Sequence, residues 1–471
     1  MVYSISLKSP YLRCSDVPSK TLIFLLSAVC SLCWVTPLHG QSSLSPTIST
    51  WNDHFGDSIS SDGIWLAVGA PQDSSEASLR GSVHIYWDNG GTWTLHQRLS
   101  PVPVPESGEN IFFGTSVSLD GDWLVIGAPG DDESGVNARA AHVYQINGDT
   151  GFWEETNKLF SATPATNDHL GTSVSINSNS GLAVVGQING FGTGVLHPWI
   201  IEEGTWSALE SISNPIGETN TKFGVSIDLE GDTLIAGAPL EEDGKGSVWV
   251  LTFNTNQNVF DISARLQPNS DVQAPHFGTS VDISGNSIVA GSPHDGNGEE
   301  NGGAAYLFRN NGSGWISKDK FEGSSTTAGD AFGSSVHLAN NSVVVGAPFH
   351  DTEIGDAYAF DVTGSTAVEI IQLLPFDGIA DGYFGRKCHI ANDSIFVSSL
   401  AFSHTELHSG KVYIYDSIVM FGDLDFDNDR DIEDLLLLIS SWGPCSNSCA
   451  ADFDQNGEVD INDLLTFIQV W

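Results

Sequence analysis

Short apolar runs separated by turn residues recur along most of the chain. In one complete unit, an alternating run over residues 113–120 precedes a turn, a nearly continuous apolar run over 123–126, and two further runs that begin at Ala141 and Trp153. Alternation predicts a strand that buries one face, and a continuous apolar run predicts a strand buried on both faces. Each unit is therefore predicted to fold as a four-stranded antiparallel sheet.

This unit occurs seven times, and each copy opens on a Phe-Gly or Leu-Gly pair, at a nearly constant spacing along the chain. Most copies then reach a Gly-Ala-Pro-like turn, in which small residues allow close backbone approach and proline ends the strand. The third and seventh copies depart from this turn, at residues 186–188 and 398–400. Such a period predicts a ring of units that bury their apolar faces against one another. The opening pairs are Phe55-Gly56, Phe113-Gly114, Leu170-Gly171, Phe223-Gly224, Phe277-Gly278, Phe332-Gly333 and Phe384-Gly385.

Over about residues 41–416, the seven copies resemble the FG-GAP repeat of integrin α-chain head domains and of many secreted bacterial proteins. The resemblance implies an all-β fold, a seven-bladed β-propeller. In integrin-like repeats the turn before Gly-Ala-Pro often carries an Asp-x-Asp-x-Asp-Gly calcium loop, whereas here this turn is short, as in Ser61-Asp62-Gly63. Such a hairpin offers too few oxygen ligands for calcium.

The seventh copy ends after residues 412–415 without a fourth strand. Residues 43–46 resemble residues 98–101, which end the fourth strand of the first copy. A segment directly after residue 40 is therefore predicted to complete the last blade and to remove its exposed edge.

The charge balance is strongly acidic, because 59 Asp and Glu residues oppose 17 Lys and Arg residues and give a net charge of −42. Such a surface repels nucleic acid and anionic membranes and attracts divalent cations, so no nucleic-acid partner is expected. Residues 1–40 are predicted to be a secretory signal, since the bases Lys8, Arg13 and Lys20 precede a short apolar run. We expect a secreted or cell-surface protein that has no membrane span after removal of the signal.

Three cysteines remain beyond residue 40. Cys445 and Cys449 are close enough in sequence to form a disulfide in an oxidising compartment. Cys388 lies in an apparent strand beside the seventh Phe-Gly pair, where a buried free thiol is expected.

Beyond residue 420 the pattern changes to two acidic loops, each followed by an apolar run of helical period. The two halves are in register, so that Asp423 matches Asp452 and Asp434 matches Asp463. Each loop places oxygen-bearing side chains at positions one, three, five, nine and twelve and a backbone carbonyl at position seven, which is the EF-hand arrangement for calcium. The alternative is an acidic disordered tail, which does not account for the duplication. The predicted calcium ligands are Asp423, Asp425, Asp427, Asp429, Asp431, Asp434, Asp452, Asp454, Asn456, Glu458, Asp460 and Asp463.

Residues 421–471 resemble a type I dockerin, a small α-helical module of two EF-hand-like loop-helix units. The resemblance implies a cohesin-like partner protein, bound through loop positions ten and eleven. These positions hold Ile432, Glu433, Ile461 and Asn462, not the Ser-Thr pair that is common in cellulosomal dockerins. The alternative is that both isoleucines pack inside the module.

Two acidic motifs bear on catalysis. Residues 88–93 match the core of a sialidase Asp box, but they stand where every copy turns between its third and fourth strands, so a hairpin turn is predicted. Acidic loops at residues 130–133, 241–243 and 350–351 are predicted to form a solvated rim, with weak cation or ligand binding as the alternative. The histidines are scattered along the sequence, and none shows ligand spacing with another.

The sequence therefore predicts a non-catalytic binding or adhesion propeller for a carbohydrate, cell-surface or matrix ligand, joined to a calcium-dependent docking module. No catalytic residue is assigned. Two alternatives remain open. One is a polysaccharide-active enzyme, a glycoside hydrolase or lyase, that cleaves glycosidic bonds with carboxylates that only the fold brings together. The other is a structural surface-layer component.

Overall fold

The computed structural model describes most of residues 41–471. No helix in that part of the chain is long and apolar enough to cross a membrane. The predicted signal segment, residues 1–40, lies outside the described residues. The described ranges are 41–46, 52–75, 80–101, 110–131, 139–161, 168–188, 193–268, 274–296, 301–339, 341–364, 366–377, 382–392, 394–400, 409–416, 432–444, 451 and 458–470.

Seven antiparallel sheets follow one another through residues 41–416 of the described chain, as the repeats predict. Strand β1 is Gln41–Leu44. Blade 1 contains β2 (Ser58–Ser61), β3 (Trp65–Ala70), β4 (Ser82–Asp88) and β5 (Trp93–Leu99); blade 2 contains β6 (Ser116–Asp120), β7 (Trp123–Ala128), β8 (Ala140–Ile146) and β9 (Trp153–Phe160); blade 3 contains β10 (Leu170–Asn177), β11 (Leu182–Ile188), β12 (Gly194–Glu202), β13 (Thr205–Ala208) and β14 (Ile212–Ser213); blade 4 contains β15 (Ile227–Glu230), β16 (Thr233–Ala238), β17 (Ser247–Asn254) and β18 (Val259–Leu266). Blade 5 contains β19 (Ser280–Ser284), β20 (Ser287–Ser292), β21 (Ala304–Asn310) and β22 (Trp315–Phe321); blade 6 contains β23 (Ser335–Ala339), β24 (Ser342–Ala347), β25 (Asp356–Asp361) and β26 (Val368–Leu373); blade 7 contains β27 (Cys388–Ala391), β28 (Ser394–Ser399) and β29 (Lys411–Asp416). One-turn segments α1 (Glu241–Gly244) and α2 (His350–Glu353) follow β16 and β24.

The first strands of successive blades contact one another around a closed ring, from β2 through β27 and back to β2. Within each blade the strands pair outward from this inner strand in sequence order, except that β14 pairs with β12 and that β1 is the outer strand of the last sheet. Residues 41–416 therefore form a seven-bladed β-propeller whose axis is surrounded by the seven inner strands.

The core lies between neighbouring blades, because each sheet buries both faces. In the cluster between blades 1 and 2, Ile85 of the first blade packs with Val117 and Leu124 of the second. Strand β7 is buried at every position after its first residue, whereas β6 alternates between buried and half-exposed residues. This burial matches the continuous and alternating apolar runs of the sequence.

The repeated Phe-Gly pair fixes the contact between consecutive blades. Phe113 is fully buried, and its ring meets the ring of His142 edge-to-face with 5.1 Å between centroids. Gly114 adopts a φ of 93°. A Cβ on Gly69 would lie 2.1 Å from the carbonyl oxygen of Gly114, so the turn of one blade needs a glycine where the next blade begins.

Ring closure uses the N-terminal strand, as predicted. Strand β1 pairs antiparallel with β29, and Gln41 lies opposite Tyr415 while Leu44 lies opposite Val412. The last sheet therefore has the order β1-β29-β28-β27 and gains its fourth strand from the other end of the domain. This arrangement removes an exposed sheet edge.

The described part of the C-terminal module contains two helices, α3 (Ile432–Ser440) and α4 (Ile461–Val470), and a short pairing of β30 (Gly443–Pro444) with β31 (Glu458–Val459). Leu438, Ala451, Val459 and Phe467 form a small buried cluster between these elements. The two apolar runs are thus helices that pack on one another, as their period predicts.

Candidate functional site

The inner strands bring one equivalent residue from each repeat to the centre of the ring. This residue stands five positions after the Phe or Leu of each opening pair, and we call the set the axial residues. The axial residues are Ser60, Ser118, Ser175, Asp228, Asp282, His337 and His389. Three blades thus carry a hydroxyl, two a carboxyl and two an imidazole at the same level of the ring.

The axial residues connect neighbouring inner strands. The inner edge of each blade has no further strand to pair with, so its backbone N–H groups need other acceptors. The Ser60 hydroxyl oxygen, for example, accepts a hydrogen bond from the backbone N–H of Leu119 in the next blade, at 3.0 Å. Five equivalent bonds join Ile176 to Ser118, Ile283 to Asp228, Leu338 to Asp282, Ile390 to His337 and Ser61 to His389. The last of these closes the ring between blades 7 and 1.

Asp228 and Asp282 form a contacting pair of carboxyl groups in this ring. Burial raises the pKa of Asp282 well above its ordinary value of 3.8, and the neighbouring Asp228 raises it further. Burial also raises the pKa of Asp228, although backbone and side-chain hydrogen bonds oppose this shift. Two adjacent carboxylates in an enclosed site cannot both ionise without cost, so the pair retains a proton to a higher pH than an exposed carboxyl does.

His337 and His389 continue the ring on the other side of Asp282. Their ring centroids are 3.9 Å apart, and the Nδ1 of His337 lies 4.0 Å from Oδ2 of Asp282. Burial lowers the pKa of both histidines, that of His389 to about 4. Both imidazoles are therefore neutral at neutral pH. The unfolded chain binds protons at these histidines below about pH 6.5, so this pair makes the fold less stable as the pH falls from there toward 4.

Asp282→Asn is expected to raise the melting temperature near pH 7.5 and to leave it unchanged near pH 3. An amide keeps the acceptor for Leu338 and has no proton to lose, whereas the unfolded wild-type chain ionises above its ordinary pKa of 3.8 and so becomes favoured as the pH rises. Thermal unfolding at the two pH values measures the difference. Asp149→Asn, which removes the same charge from an exposed turn, is the matched control and should not reproduce the pH-dependent gain.

Sequence reasoning missed the axial residues because they are separated by a whole repeat. His337 and His389, for example, stand at the same position of the last two copies, each five places after its opening phenylalanine. Residues at the same register position of adjacent blades become neighbours in a propeller. Alignment of the seven repeats on their opening pairs is therefore the signal that finds this ring.

The acids behind the Gly-Ala-Pro turns are not a solvated rim, and that prediction is wrong for Asp131 and Glu241. Both side chains are buried. Oδ2 of Asp131 lies 3.0 Å from Nε2 of His142 and 3.3 Å from Nζ of Lys158. Burial by itself would lower the pKa of His142, but hydrogen bonds to Asp131 and Glu155 raise it. A buried carboxylate requires such partners, and the fourth strand of the blade supplies the cation.

The same construction recurs in other blades. Glu241 accepts hydrogen bonds from Nη2 of Arg265 at 2.6 Å and from the indole N–H of Trp249 at 2.8 Å. Asp73 pairs with Arg98 and Asp295 with Lys320. These acids therefore hold the turn against the third and fourth strands of their own blade. Only the outer members of the acidic loops, such as Glu242 and Asp351, are exposed among the described residues.

Two further sequence predictions are confirmed in the propeller. Asp88 ends β4 and accepts a hydrogen bond from the backbone N–H of Gly91 at 2.7 Å, so the Asp-box-like segment is a hairpin turn. Cys388 is a buried free thiol, and burial raises its pKa to about 12, which keeps it unreactive.

The described part of the C-terminal module contains few of the predicted calcium ligands. Residues 423–431 and 452–457 lie outside the described residues, as do Cys445, Cys449 and the side chain of Glu433. The described residues contain no group of three or more potential metal ligands in coordinating geometry. Asp434 and Asp463, at position twelve of each loop, are fully buried, and Oδ2 of Asp463 accepts the backbone N–H of Asp460 at 2.8 Å. Carboxylate oxygens are ligands that a hard cation such as calcium prefers.

The predicted partner-binding isoleucines are on the surface. Ile432 is 60% exposed and Ile461 is 53% exposed, and Asn462 is exposed as well. One turn further along each helix, Leu436 and Leu465 are 58% and 50% exposed. The two isoleucines occupy equivalent positions of the duplicated units, and so do the two leucines, so the same apolar surface occurs once on each helix. The alternative that both isoleucines form the core of the module is wrong.

Comparison with known protein families gives a match to the model described as "FG-GAP repeat" at residues 41–86, 93–144, 263–308 and 315–360. The propeller contains FG-GAP repeats. Each matched stretch runs from the outer strand of one blade to the third strand of the next, so the sequence repeat is offset from the blade by one strand. The first match starts with β1, the strand that closes the ring. No curated protein matches the chain at a significant level.

Solved structures with a similar fold share little sequence with the chain. Hydrazine synthase from Kuenenia stuttgartiensis matches at 11% identity and a TM-score of 0.50, over 79% of this chain and 98% of that one. A protein from Lactobacillus plantarum matches at 11% identity and a TM-score of 0.48, over 70% and 86% of the two chains. Sqt1 from Saccharomyces cerevisiae matches at 12% identity and a TM-score of 0.43, over 80% and 99%. At this identity the first match shows the fold alone, and the other two carry no argument.

Proposed function

We propose that the protein is a secreted binding or adhesion protein in two parts. Its propeller binds a carbohydrate, cell-surface or matrix ligand, and its C-terminal module binds calcium and docks onto a cohesin-like protein. FG-GAP propellers are typically extracellular, which supports the proposed location. An extracellular location also supports a Cys445–Cys449 disulfide in the segment between the two calcium loops.

The observation that carries the docking proposal is the duplicated apolar surface of the module. Ile432 and Leu436 on α3 and Ile461 and Leu465 on α4 are at least half exposed. Apolar side chains that recur at equivalent surface positions are typical of a protein-binding face, since single exposed apolar residues are common but a repeated pair is not. Because the same apolar pair occurs on both helices, either helix could bind the same surface of the partner protein.

A binding role for the propeller, rather than a catalytic one, is supported by the structural contacts of its buried acids. Asp131 and Glu241 neutralise cations of their own blades, and Asp228 and Asp282 accept backbone N–H groups from the next blade. The first two acids therefore stabilise single blades, and the last two join neighbouring blades. A rigid scaffold of this kind leaves the loops at its ends for recognition.

Exchange of both isoleucines for aspartate, Ile432→Asp with Ile461→Asp, is expected to abolish capture of the full-length protein by an immobilised type I cohesin in saturating calcium. Two charges placed in an apolar contact cost more than the contact gains. Calcium binding by calorimetry should be unchanged, since neither side chain supplies a ligand oxygen. Ile262→Asp, at a 56% exposed position of the propeller, is the matched control and should bind like the wild type.

If the wild-type protein is not captured at all in saturating calcium, the docking proposal fails. The module is then better regarded as a terminal cap that calcium makes rigid. Loss of calcium binding in the double variant would instead show that the isoleucines are needed for the fold of the module.

A second candidate function is glycoside hydrolysis or elimination, and one observation favours it. Asp228 and Asp282 contact one another and have raised pKa values, which is a property of paired catalytic carboxyls. Their hydrogen bonds to each other and to the next blade favour a structural role instead. Polysaccharide turnover by the wild type that Asp282→Asn abolishes would establish the enzyme and reject the binding proposal for the propeller.

A further inference from the structure

Blade 7 breaks the repeat at the point where its inner strand begins. In six blades a serine follows the opening pair by two positions, whereas blade 7 has Lys387 there. The residue before it is Arg386, where the other blades carry Asp, Thr, Val or Ser. Two adjacent cations in one blade of a chain with net charge −42 are a departure that the propeller fold itself does not require.

Four of these six serines donate a hydrogen bond to the carbonyl oxygen of the glycine in the next opening pair. The Ser58 hydroxyl donates to the carbonyl oxygen of Gly114 in the next blade at 2.7 Å, in a space left free by Gly69. Blade 7 has Ser398 in place of that glycine. The buried hydroxyl of Ser398 accepts a hydrogen bond from the backbone N–H of Lys387 at 3.0 Å. In blade 7 the serine is therefore in the second strand, and the side chain of Lys387 does not make the contact that serine makes in other blades.

Lys387 and Arg386 are both exposed, although the inner strand that they precede is surrounded by the other blades. Burial lowers the pKa of Lys387, and the neighbouring Arg386 lowers it further. The backbone N–H of Ser398 donates to the carbonyl oxygen of Lys387 at 2.9 Å, so residue 387 continues the pairing of β27 with β28, two positions before the axial residue His389. Residues two apart in a strand share a face, so Lys387 is on the face that carries the axial residues. Both cations stand at the end of the propeller channel where the inner strands begin.

Several other cations of the propeller have an acidic partner. Arg98, Lys158, Arg265 and Lys320 each pair with a buried acid of their own blade. The described residues show no ion pair for Arg386 or Lys387, and the acid that acts on Lys387 is Asp57 of the adjoining blade, which raises its pKa. Two adjacent cations with one acid near Lys387 leave a local positive charge.

We propose that Arg386 and Lys387 form an oxyanion site in the channel, which binds the carboxylate or sulfate group of a ligand. A guanidinium binds two oxygens of such a group in its plane, and an adjacent ammonium adds a point charge. The acidic surface does not prevent this, because its charges are screened over about 8–10 Å at physiological salt. The site does not depend on the docking proposal, and an acidic oligosaccharide is one ligand that carries the required group.

Isothermal titration of the full-length protein with sodium sulfate in low-salt buffer tests the site. The wild type should bind one sulfate, and Lys387→Ser and Arg386→Thr should each weaken binding about tenfold or more, since each removes a charged hydrogen-bond donor. Both substitutions restore residues that other blades carry at these positions, so the fold should be retained. Lys318→Ser removes the same charge from an exposed position of β22 and should leave sulfate binding unchanged.

A second titration with a galacturonate oligosaccharide distinguishes the source of the anion. If the oligosaccharide binds more tightly than sulfate, and Lys387→Ser again loses this binding, the site recognises an acidic group on a glycan. If the oligosaccharide binds more weakly than sulfate, the ligand is a small free anion. Absence of sulfate and galacturonate binding in the wild type, or equal binding in the wild type and the Arg386→Thr, Lys387→Ser double variant, would overturn the proposal. Either result leaves the calcium-dependent docking proposal untouched.

Discussion

Deletion of residues 41–46 should lower the melting temperature of the protein by roughly 5–10 °C. The deletion removes β1 and its four paired residues from β29. Backbone hydrogen bonds contribute about 1 kcal/mol each, and the loss of Leu44 from the cluster that contains Phe55 and Val412 adds to this. For a domain of this size, a loss of 1 kcal/mol in the free energy of unfolding lowers the melting temperature by about 2–4 °C or less.

Differential scanning calorimetry of the full-length protein and the deletion variant measures this effect. Leu44→Ala, which keeps the strand but removes most of its apolar contact, should give a smaller shift in the same direction. The open edge of β29 should also make the deletion variant prone to association, which light scattering detects. A melting curve that does not change on deletion would show that β1 does not hold the ring closed.

The sequence predicts the propeller well because each relevant signal is local or strictly periodic. The opening pairs count the blades, the apolar runs identify the buried strands, and the similarity of residues 43–46 to 98–101 locates the closing strand. Turn residues such as Asp88 form hydrogen bonds with residues only a few positions away in the sequence. Such signals do not require knowledge of the tertiary fold.

The pairing of acids with cations was missed because the partners come from different parts of a blade. Asp131 follows the second strand of its blade, whereas Lys158 lies in the fourth. A charge run by itself predicts solvent exposure, since burial without a partner is costly. The recurrence of an acid after the second strand and a cation in the fourth, seen also for Asp73 with Arg98, is the signal that would have indicated pairing.

The contact between Asp228 and Asp282, and between His337 and His389, depends on the ring geometry. Inner strands of adjacent blades are neighbours in space but a full repeat apart in sequence. The exchange that places Lys387 at the serine position and Ser398 at the glycine position appears when the repeats are aligned, and the structure shows the hydrogen bond that links the two residues. Departures from a repeat carry functional information that a search for motifs does not detect.

Calcium is expected to stabilise the C-terminal module strongly. The carboxylates of the first loop, from Asp423 to Asp434, repel one another until a cation lies among them. Binding to the folded module alone adds about 2.7 kcal/mol per site at a free calcium concentration of 100 times the Kd. Removal of calcium with a chelator should therefore unfold α3 and α4 and expose Leu438 and Phe467, which are fully buried in the described structure.

Calcium titration of the full-length protein by isothermal calorimetry tests the two-part proposal most directly. Two sites are expected in the wild type. Asp463→Ala should abolish one site, because this buried carboxyl supplies position twelve, whereas Glu458→Gln should keep both, because position seven binds through its backbone carbonyl. Absence of calcium binding in the wild type, or a titration of Asp463→Ala indistinguishable from that of the wild type, would contradict a calcium-dependent docking module.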